Sequence, residues 1–209
     1  MVKPVHGTGL PPGSRDLDTK LVAALERVGQ ALRGQLRERA MDEGLTPTQA
    51  QILLRLAAEE SPRRRVGALA AALDVRQPTI SDAVAALERK GLLERRLAAG
   101  DARAATLALT ARGRVVSDRL SAWDEQARAE LRRLPRQARQ VSLTLLLDLI
   151  AGLQAAGVVG VARTCPTCRF FRFQVRSSAA RPHRCALLDM PLGPGDLRLD
   201  CPEHEQSAA

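Results

Sequence analysis

The chain has no cysteine in its first 164 residues, and all four of its cysteines, Cys165, Cys168, Cys185 and Cys201, stand in the last fifth of its 209 residues. The larger part of the protein is therefore built without disulfides, thiolate ligands or cysteine nucleophiles. Any chemistry that the thiols perform belongs to the C-terminal segment.

The sequence also lacks a long apolar run. The N-terminal segment MVKPVHGTGLPPGSRD has no apolar core of the kind found in signal peptides, and no later segment approaches the apolar length that crosses a bilayer. We expect a soluble cytoplasmic protein with no membrane partner. In a reducing compartment, four clustered cysteines more often bind metal or carry out redox chemistry than form structural disulfides.

No stretch resembles a hydrolytic triad or a nucleotide-binding loop, so the sequence predicts a protein that is not an enzyme. The length accommodates one domain of ordinary size and a small appendage, and it excludes two full catalytic domains. A binding function is the expectation that remains.

Lysine is scarce, occurring only at Lys3, Lys20 and Lys90, yet basic residues outnumber acidic ones by 32 to 23 and give a formal net charge of +9. Nearly all of the positive charge is therefore arginine. Such a balance predicts a polyanionic partner. The alternative is that an arginine- and alanine-rich composition reflects codon bias and carries no information about partners.

Apolar residues recur every three or four positions after a Pro- and Gly-rich arm, residues 1–14, that we expect to be disordered. The residues that would share one face of a long helix are Leu17, Leu21, Leu25, Val28, Leu32 and Leu36. A helix of this length with one apolar stripe needs a second helix to cover it, from the same chain or from a partner subunit.

A further block of helical signals begins at Thr46, which forms a Thr-x-x-Gln capping box with Gln49 around Pro47. A short alanine-rich helix follows in VGALAAALDV, and another helix opens near Pro78 and ends at Gly91. After Gly91 the apolar spacing alternates, and two short stretches flank a Gly-Asp turn, which predicts a small β-hairpin.

The remaining pattern predicts a helical hairpin. One helix would begin at Thr110 and continue through TARGRVVSDRLSAWDEQARAELRRL, and the next would begin at Pro135 and continue through PRQARQVSLTLLLDLIAGLQAAG. The second of these helices is mostly apolar, and such a pair usually packs on a partner helix.

Short helix, tight turn, second helix and two-stranded hairpin follow one another in the order of a winged helix-turn-helix. The segments LTPTQAQILLRL, VGALAAALDVRQPTISDAVAALERKGLLERR and GDARAATLALTARG together resemble the multiple-antibiotic-resistance regulator (MarR) family of bacterial transcription factors. The resemblance implies a mainly α fold with a small β-hairpin wing. It places a DNA-binding core at 45–113 within a domain at 15–160 whose long flanking helices dimerise, and it leaves 161–209 as a small, loop-rich, metal-stabilised module.

The resemblance implies that the helix after the turn reads the major groove of DNA with its N-terminal residues. The candidates for base contacts are Arg76, Gln77, Thr79, Ile80, Ser81 and Asp82. Glutamine can pair with adenine, arginine with guanine, and threonine with the methyl group of thymine. Three of these residues have a competing reading, because Ile80 suits the core, Thr79 can merely support the helix cap, and an exposed Asp82 would repel phosphate.

The sequence GDARA resembles the Asp-x-Arg of the family's wing. Arg103 would enter the minor groove or contact a phosphate, and Asp101 would hold the turn or the arginine in place. The usual second arginine is absent, because position 104 is alanine. The further candidates for phosphate contacts, each with a merely solvated role as the alternative, are Arg63, Arg64, Arg65, Arg89, Lys90, Arg95 and Arg96.

The resemblance further implies a homodimer that places two recognition helices about one DNA turn apart, roughly 34 Å, on a short palindromic operator in double-stranded DNA. Binding there would most simply block polymerase, so we expect a repressor. A small-molecule effector could bind between the dimer helices and the winged domain. The residues expected to line that pocket are Leu32, Leu36, Leu120 and Trp123.

The cysteines follow the spacing Cys-x2-Cys-x16-Cys-x15-Cys in a segment too short and too poor in apolar residues to bury a core without a crosslink. We predict that Cys165, Cys168, Cys185 and Cys201 bind a metal centre that supplies folding free energy. Zinc is the first expectation, because four thiolates suit its tetrahedral geometry. An iron–sulfur cluster is the alternative, and a metal-free thiol switch is the third reading.

Two other features bear on this segment. His204 is the better substitute if one of the four cysteines does not bind the metal. All three phenylalanines of the chain, Phe170, Phe171 and Phe173, fall here, and we expect them to pack against the metal loop and the last long helix. The segment would then be docked on the rest of the protein.

The sequence thus predicts a sequence-specific DNA-binding transcriptional regulator that responds to a small molecule, a metal or a redox signal. The alternative is a redox or protein-interaction protein in which the cysteine-rich segment is the active unit and the winged helix a docking platform. Against that alternative, the Cys-x-x-Cys pair does not lie in the strand-helix setting of a thioredoxin-like fold.

Overall fold

The computed structural model describes residues 16–58, 64–98, 101–175, 178 and 180–207, without side chains at 97, 98 and 101–105. The arm predicted to be disordered lies outside these residues. The helices are α1 (Leu17–Asp42), α2 (Pro47–Ala58), α3 (Val66–Leu73), α4 (Gln77–Arg89), α5 (Ala111–Leu120), α6 (Glu125–Arg133) and α7 (Arg136–Ala155). The strands are β1 (Leu93–Ala98), β2 (Asp101–Leu109), β3 (Phe171–Arg172), β4 (His183–Cys185) and β5 (Met190–Leu192).

Helix α1 has the length that the apolar spacing predicts, and the side chain of Asp16 caps it by accepting a hydrogen bond from the Thr19 N–H at 2.7 Å. Its buried residues, Leu36 and Ala40, both lie in its C-terminal half. The stripe ahead of them is exposed, with Leu17 at 70% and Val28 at 57%. Within the part of the chain that the structure describes, this stripe is not covered.

The capping box predicted for α2 is confirmed. The Gln49 N–H donates to the Thr46 hydroxyl at 3.2 Å, and the Thr46 N–H donates to the Gln49 side-chain oxygen at 3.2 Å. Two backbone donors at the helix start are satisfied in this way. Pro47, which has no N–H to leave unpaired, takes the first helical position, as predicted.

Helices α3 and α4 form a helix-turn-helix around a three-residue connection, 74–76. Asp74 makes the turn in the left-handed region, with φ of 51°. One face of α4 is fully buried, at Ile80, Val84 and Leu87, so the core role considered for Ile80 is confirmed. The helix ends before Gly91, whose φ of 66° suits a residue without a Cβ, as the sequence predicts.

The predicted hairpin forms beside α4. Strands β1 and β2 are antiparallel, with Leu93 opposite Leu109 and Arg96 opposite Thr106, and the register shifts between Arg96 and Ala98. The Leu107 N–H donates to the Arg64 carbonyl at 2.6 Å, which ties the hairpin to the segment that leads into α3. Leu93, Leu107 and Leu109 of the hairpin also pack in the main core, so the wing is held against the helix-turn-helix by apolar packing as well as by this bond.

The single helix predicted from Thr110 onward is wrong, because the chain turns at 121–124 and divides it into α5 and α6. The Ser121 hydroxyl donates to the Asp118 carbonyl at 2.6 Å and so replaces a helical partner at the end of α5. Trp123, in the turn, packs against the main core. The chain turns here so that the large Trp123 side chain packs against the core, and a continuous helix is interrupted as a result.

The C-terminal module, residues 161–207, contains a three-stranded antiparallel sheet in the order β3-β4-β5, which the sequence did not predict. It docks on α7 as expected. The residues of its small core are Leu143 and Leu147 of α7 with Cys165, Phe171, Cys185, Leu192 and Leu197. The expectation that Phe173 packs on the last long helix is wrong, because Phe173 is 66% exposed and stacks on His183 instead.

Among the described residues, no helix is both long enough and apolar enough to cross a membrane. The longest apolar-striped helix, α1, is interrupted by many charged residues.

Candidate functional site

The N-terminal end of α4 presents the predicted base-contacting residues to solvent. Arg76, Gln77 and Thr79 are exposed, and Ser81 is half-buried. Arg76 occupies the N-cap position without capping the helix through its side chain. Asp82 is also exposed on this helix, where its charge would oppose a nearby phosphate. Ile80, Val84 and Leu87 anchor α4 in the core, so the exposed residues at its start are held on a rigid support.

Lys90, one of the basic residues considered for phosphate contact, is engaged within the chain. Its ammonium group donates to the Gly44 carbonyl at 2.6 Å and to the Gln49 side-chain oxygen at 3.1 Å. It therefore ties the end of α4 to the turn between α1 and α2. The expected phosphate role is not what this geometry favours, since contact with DNA would cost both bonds. Arg89, its neighbour, is exposed.

The wing's two described arginines are exposed and paired with carboxylates. The Arg95 guanidinium donates to the Glu88 carboxylate at 3.1 Å, and the Arg96 guanidinium donates to the Glu94 carboxylate at 2.9 Å. Such exposed pairs are weak, so either arginine can exchange its carboxylate for a phosphate at little cost. The side chains of Asp101 and Arg103, and Arg63 as a whole, lie outside the described residues.

The residues expected to line an effector pocket mostly fill the core. Leu36 and Leu120 belong to the main buried cluster, with Leu120 fully enclosed, and Trp123 packs against the same cluster. Leu32 is half-buried. Leu36 and Leu120 contribute to the core of the single chain, and the pocket expected between the dimer helices and the winged domain stays a prediction.

All four cysteines line one cavity of about 240 Å³ in the C-terminal module. Cys165 and Cys168 flank a short 3-10 turn, Cys185 ends β4, and Cys201 lies in the C-terminal loop. None of the four is in a disulfide. The rest of the wall is largely apolar, and it includes Phe170, Phe171, Leu187, Leu188, Met190 and Leu192.

Arg198 donates to two of the cysteine sulfurs. Its backbone N–H lies 3.2 Å from Cys165 Sγ, and its guanidinium lies 3.8 Å from Cys201 Sγ. Burial raises the pKa of the Cys165 thiol, and the Arg198 N–H works in the opposite direction. An isolated Cys165 is therefore a poor thiolate at neutral pH, which does not favour a role as a reactive nucleophile.

Within the described residues, no three side chains of histidine, cysteine, aspartate or glutamate are placed to hold one metal ion together. His204, the suggested substitute ligand, is hydrogen-bonded through Nε2 to the Thr167 hydroxyl at 2.9 Å. His183 is buried between Phe171 and Phe173. Both histidines are thus engaged by other side chains. The four cysteines are the candidate ligands that line the cavity.

Asp200, which immediately precedes Cys201, connects the module to the winged helix. Its carboxylate accepts hydrogen bonds from Arg163 at 2.8 Å and from Arg55 of α2. Burial alone would raise the pKa of Asp200, but the two guanidinium groups hold it below its ordinary value. The aspartate therefore stays ionised, and it bridges the cysteine-bearing loop to the helix on which α4 packs.

Comparison with known proteins places this fold. Residues 43–104 match the family model described as MarR family. The fold is similar to that of MarR-family winged-helix regulators. A MarR-family transcriptional regulator from Silicibacter pomeroyi is 25% identical with a TM-score of 0.57, and the match covers 66% of this chain and 92% of that one.

Two further solved structures have the same MarR-type fold. CouR from Rhodococcus jostii RHA1, bound to p-coumaroyl-CoA, is 25% identical with a TM-score of 0.56 over 65% of this chain and 95% of that one. MepR of S. aureus in complex with DNA is 21% identical with a TM-score of 0.57 over 66% of this chain and 99% of that one. The curated proteins gave no match.

Sequence reasoning missed Arg198 and Asp200 as functional candidates. Both are charged residues in a segment with many charges, and nothing in their local pattern marks them. Their partners lie far away in the sequence, since Asp200 is 145 residues from Arg55. The one available signal was their position within three residues of Cys201.

Proposed function

We propose that the protein is a sequence-specific DNA-binding transcriptional regulator that acts as a homodimer. The observation that supports this best is the exposed N-terminal end of α4, which carries Arg76, Gln77 and Thr79. The rest of α4 is anchored in the core, and a basic wing lies beside the helix. A major groove admits an α-helix presented in this way. The net charge of +9 suits a polyanionic partner.

The dimer is supported by the two helices that flank the winged helix. Helix α1 is 26 residues long, about 39 Å, and its N-terminal half carries an exposed apolar stripe. In α7, which is 20 residues long, only Leu147 is buried, and Val141 and Leu145 are at least 50% exposed. Such faces are unfavourable in water, and a second copy of the chain would cover both at once.

The mode of action proposed is repression. A dimer that occupies a short palindrome within a promoter would exclude polymerase, and release by a signal would restore transcription. A signal can do this only if it binds the DNA-competent and DNA-incompetent arrangements with different affinity. The bridge from Asp200 to α2 gives the C-terminal module a route to the DNA-binding helices.

The four cysteines are proposed to hold a metal centre in the C-terminal module. The module's own core consists of few residues, among them Leu192, Leu197 and Phe171, so a crosslinking centre would add the stability that this core lacks. Zinc was the first expectation from the number of thiols. All four sulfurs reach one cavity, which is the requirement that zinc and a cluster share.

The DNA proposal is tested by selecting sequences from a randomised pool of duplex DNA with the full-length protein. We expect enrichment of an inverted repeat whose half-sites are centred about 10 base pairs apart. Recovery of no enriched sequence above background, with a folded and dimeric protein, would overturn the proposal.

The recognition helix is tested with Arg76→Ala. Loss of one good base contact is expected to weaken binding to the selected site by roughly 1–3 kcal/mol, or about 5- to 150-fold, measured by fluorescence anisotropy. Arg133→Ala is the matched control, because Arg133 is a 76% exposed arginine of α6 whose guanidinium pairs with the neighbouring Glu130 in an i,i+3 bridge. Equal loss in both variants would show that Arg76 contributes charge and no base contact.

A further inference from the structure

The small sheet of the C-terminal module carries two arginines that lie directly opposite each other. Strands β3 and β4 are antiparallel, and their register pairs Phe171 with Cys185 and Arg172 with Arg184. The first pair packs against the module's core, so Arg172 and Arg184 project from the other face of the sheet. The Cβ atoms of opposite residues are about 5 Å apart, and like charges in such a pair repel each other.

The guanidinium group of Arg172 is held in place without being neutralised. Its Nη1 donates to the Arg169 carbonyl at 2.6 Å and to the Phe171 carbonyl at 3.2 Å. Carbonyl oxygens orient the group but carry no net charge, so the positive charge of this exposed residue remains at the surface. Within the described residues both bonds use Nη1, which leaves the Nε and Nη2 donors for a bidentate acceptor.

The carboxylates beside these arginines are exposed. The Arg184 guanidinium pairs with Asp189, whose side chain is 81% exposed. The Arg169 guanidinium pairs with Glu205 at 2.7 Å, between side chains that are 55% and 53% exposed, and it lies 4.7 Å from the centre of the Phe170 ring. Exposed ion pairs contribute little stability, so an anion of higher charge can replace either carboxylate at little cost.

We propose that Arg169, Arg172 and Arg184, here called the arginine face, bind a phosphate group. A phosphate between Arg172 and Arg184 would remove their mutual repulsion. It would also accept the paired N–H groups of a guanidinium, which match two phosphate oxygens in a way that an ammonium group does not. The ligand chemistry is the same for a phosphodiester of duplex DNA and for the phosphate of a small molecule.

The position of the module favours DNA as the source of the phosphate. Asp200 of the module binds Arg55 of α2, which packs on α4. Just ahead of the module, a Cβ placed on Gly160 would lie 3.8 Å from Asp74 Oδ1, in the turn of the helix-turn-helix. Phosphate contacts made beside this motif would strengthen DNA binding without reading sequence. The choice of DNA rests on the proposed function, whereas phosphate binding itself does not.

The first experiment measures DNA binding by the full chain over a range of salt concentrations, on the selected site and on a random duplex of equal length. Loss of one phosphate contact lowers the slope of the logarithm of the binding constant against the logarithm of the salt concentration by about 1. Arg172→Gln should therefore reduce this slope by about 2 in the proposed homodimer, and it should weaken binding to both duplexes by the same factor.

Two further variants make this measurement specific. Arg181→Gln removes the same charge from a 56% exposed side chain of the same module, and it should leave the slope unchanged. Asp189→Asn removes the carboxylate that competes for Arg184, so it should tighten DNA binding. Equal losses in Arg172→Gln and Arg181→Gln would reduce the effect to overall charge and overturn the site. Weaker DNA binding by Asp189→Asn would contradict the role of Arg184.

The second experiment uses inorganic phosphate, compared with chloride at equal ionic strength, and measures the urea midpoint of the wild type and of the Arg172→Gln, Arg184→Gln double variant. Phosphate should raise the midpoint of the wild type more, because it binds the folded arginine face. The general salting effect of phosphate is common to both proteins and cancels in the comparison.

The two experiments together separate the sources. A changed salt slope in Arg172→Gln assigns the phosphate to DNA. An unchanged slope with a phosphate-dependent difference in midpoint assigns it to a small molecule. If neither the slope nor the midpoint distinguishes the variants from the wild type, the arginine face binds no phosphate and the proposal is overturned. A wild type that binds no DNA would overturn the proposed function, and the midpoint experiment would then decide this inference alone.

Discussion

Glu43, which follows α1, and Arg119 of α5 form a two-point ion pair with nitrogen–oxygen distances of 2.7 and 2.6 Å. The Arg119 hydrogen bond holds the pKa of Glu43 below its ordinary value, against the opposing effect of burial. The same bond raises the pKa of Arg119. The pair joins the start of the winged helix to the helix that follows the wing.

Because the pKa of Glu43 is lowered by folding, the pair stabilises the protein above the unfolded value of about 4.3, and this stabilisation is lost as the pH falls through the folded pKa. Glu43→Gln should therefore lower the urea midpoint at neutral pH, and the difference from wild type should shrink as the pH falls below the unfolded value of about 4.3 and through the lower folded pKa. Glu130→Gln, in an exposed pair within α6, is the control and should change little. A difference that stays constant with pH would rule out the ionised pair as its source.

Gly113 marks the closest approach between elements. A Cβ placed there would lie 1.8 Å from the Leu92 carbonyl oxygen, a backbone atom that a rotamer change cannot move. Gly113→Ala should therefore destabilise the protein by about 3 kcal/mol or more, seen as a lower urea midpoint. Gly152→Ala in α7 meets nothing within 4 Å and should be neutral or stabilising by up to about 1 kcal/mol. Similar midpoints for both variants would contradict the close packing of α5 on the start of β1.

At the scale of elements, signals that act over three or four residues were predictable from the sequence. The capping box at Thr46 and the stop at Gly91 each depend on neighbours in the chain, and each was placed correctly. The break between α5 and α6 was missed, because it depends on the packing of Trp123 against the main core. The sheet of the C-terminal module was missed for the same reason, since its strands are very short and its register is set by tertiary contacts.

In the candidate site too, some placements could be predicted from neighbouring residues, and others depend on contacts between distant parts of the chain. The exposure of Arg76 and Gln77 follows from their position at the very start of α4, ahead of the buried residues Ile80 and Val84. The attachment of Lys90 to Gly44 could not be predicted, because it joins residues 46 apart. The shared cavity of the cysteines was expected from their clustering, whereas its size could only come from the fold.

The exposed apolar stripe of α1 leads to a prediction about the proposed dimer. Leu21 and Leu25 are 41% and 37% exposed on its apolar stripe. Leu21→Glu would place a charge within the proposed interface, where burial without a partner is costly, so the variant should be largely monomeric by sedimentation. Gln30→Glu adds the same charge on an exposed position of the same helix and should remain dimeric. A dimer in both variants would assign the interface to another surface.

At the scale of the whole molecule, one contact spans the proposed sensing and DNA-binding parts. Asp200 bonds to Arg55 of α2 and to Arg163, and α2 in turn packs against α4. Because Asp200 is adjacent to Cys201, a metal centre bound by Cys201 would have a direct route through Asp200 and α2 to the recognition helix. Coupling between two sites of this kind is typically about 1–3 kcal/mol.

Asp200→Asn should weaken the contacts of residue 200 with Arg55 and Arg163 while leaving all four thiols in place. In the wild type we expect operator affinity to differ between metal-loaded and metal-stripped protein by about 5- to 150-fold. In Asp200→Asn most of this difference should disappear, because the neutral amide binds the two arginines less strongly. The measurement is fluorescence anisotropy on both forms of both proteins, with iron or zinc content determined on each sample.

Asp189→Asn is the matched control, since Asp189 is an 81% exposed aspartate of the same module whose arginine partner, Arg184, also lies in the module. It should keep the full difference between loaded and stripped protein. If Asp200→Asn also keeps it, the signal does not pass through α2. The apolar contact of Leu147 with Cys165, Leu192 and Leu197 then becomes the path to test, because it joins the module to α7, a helix of the proposed dimer interface.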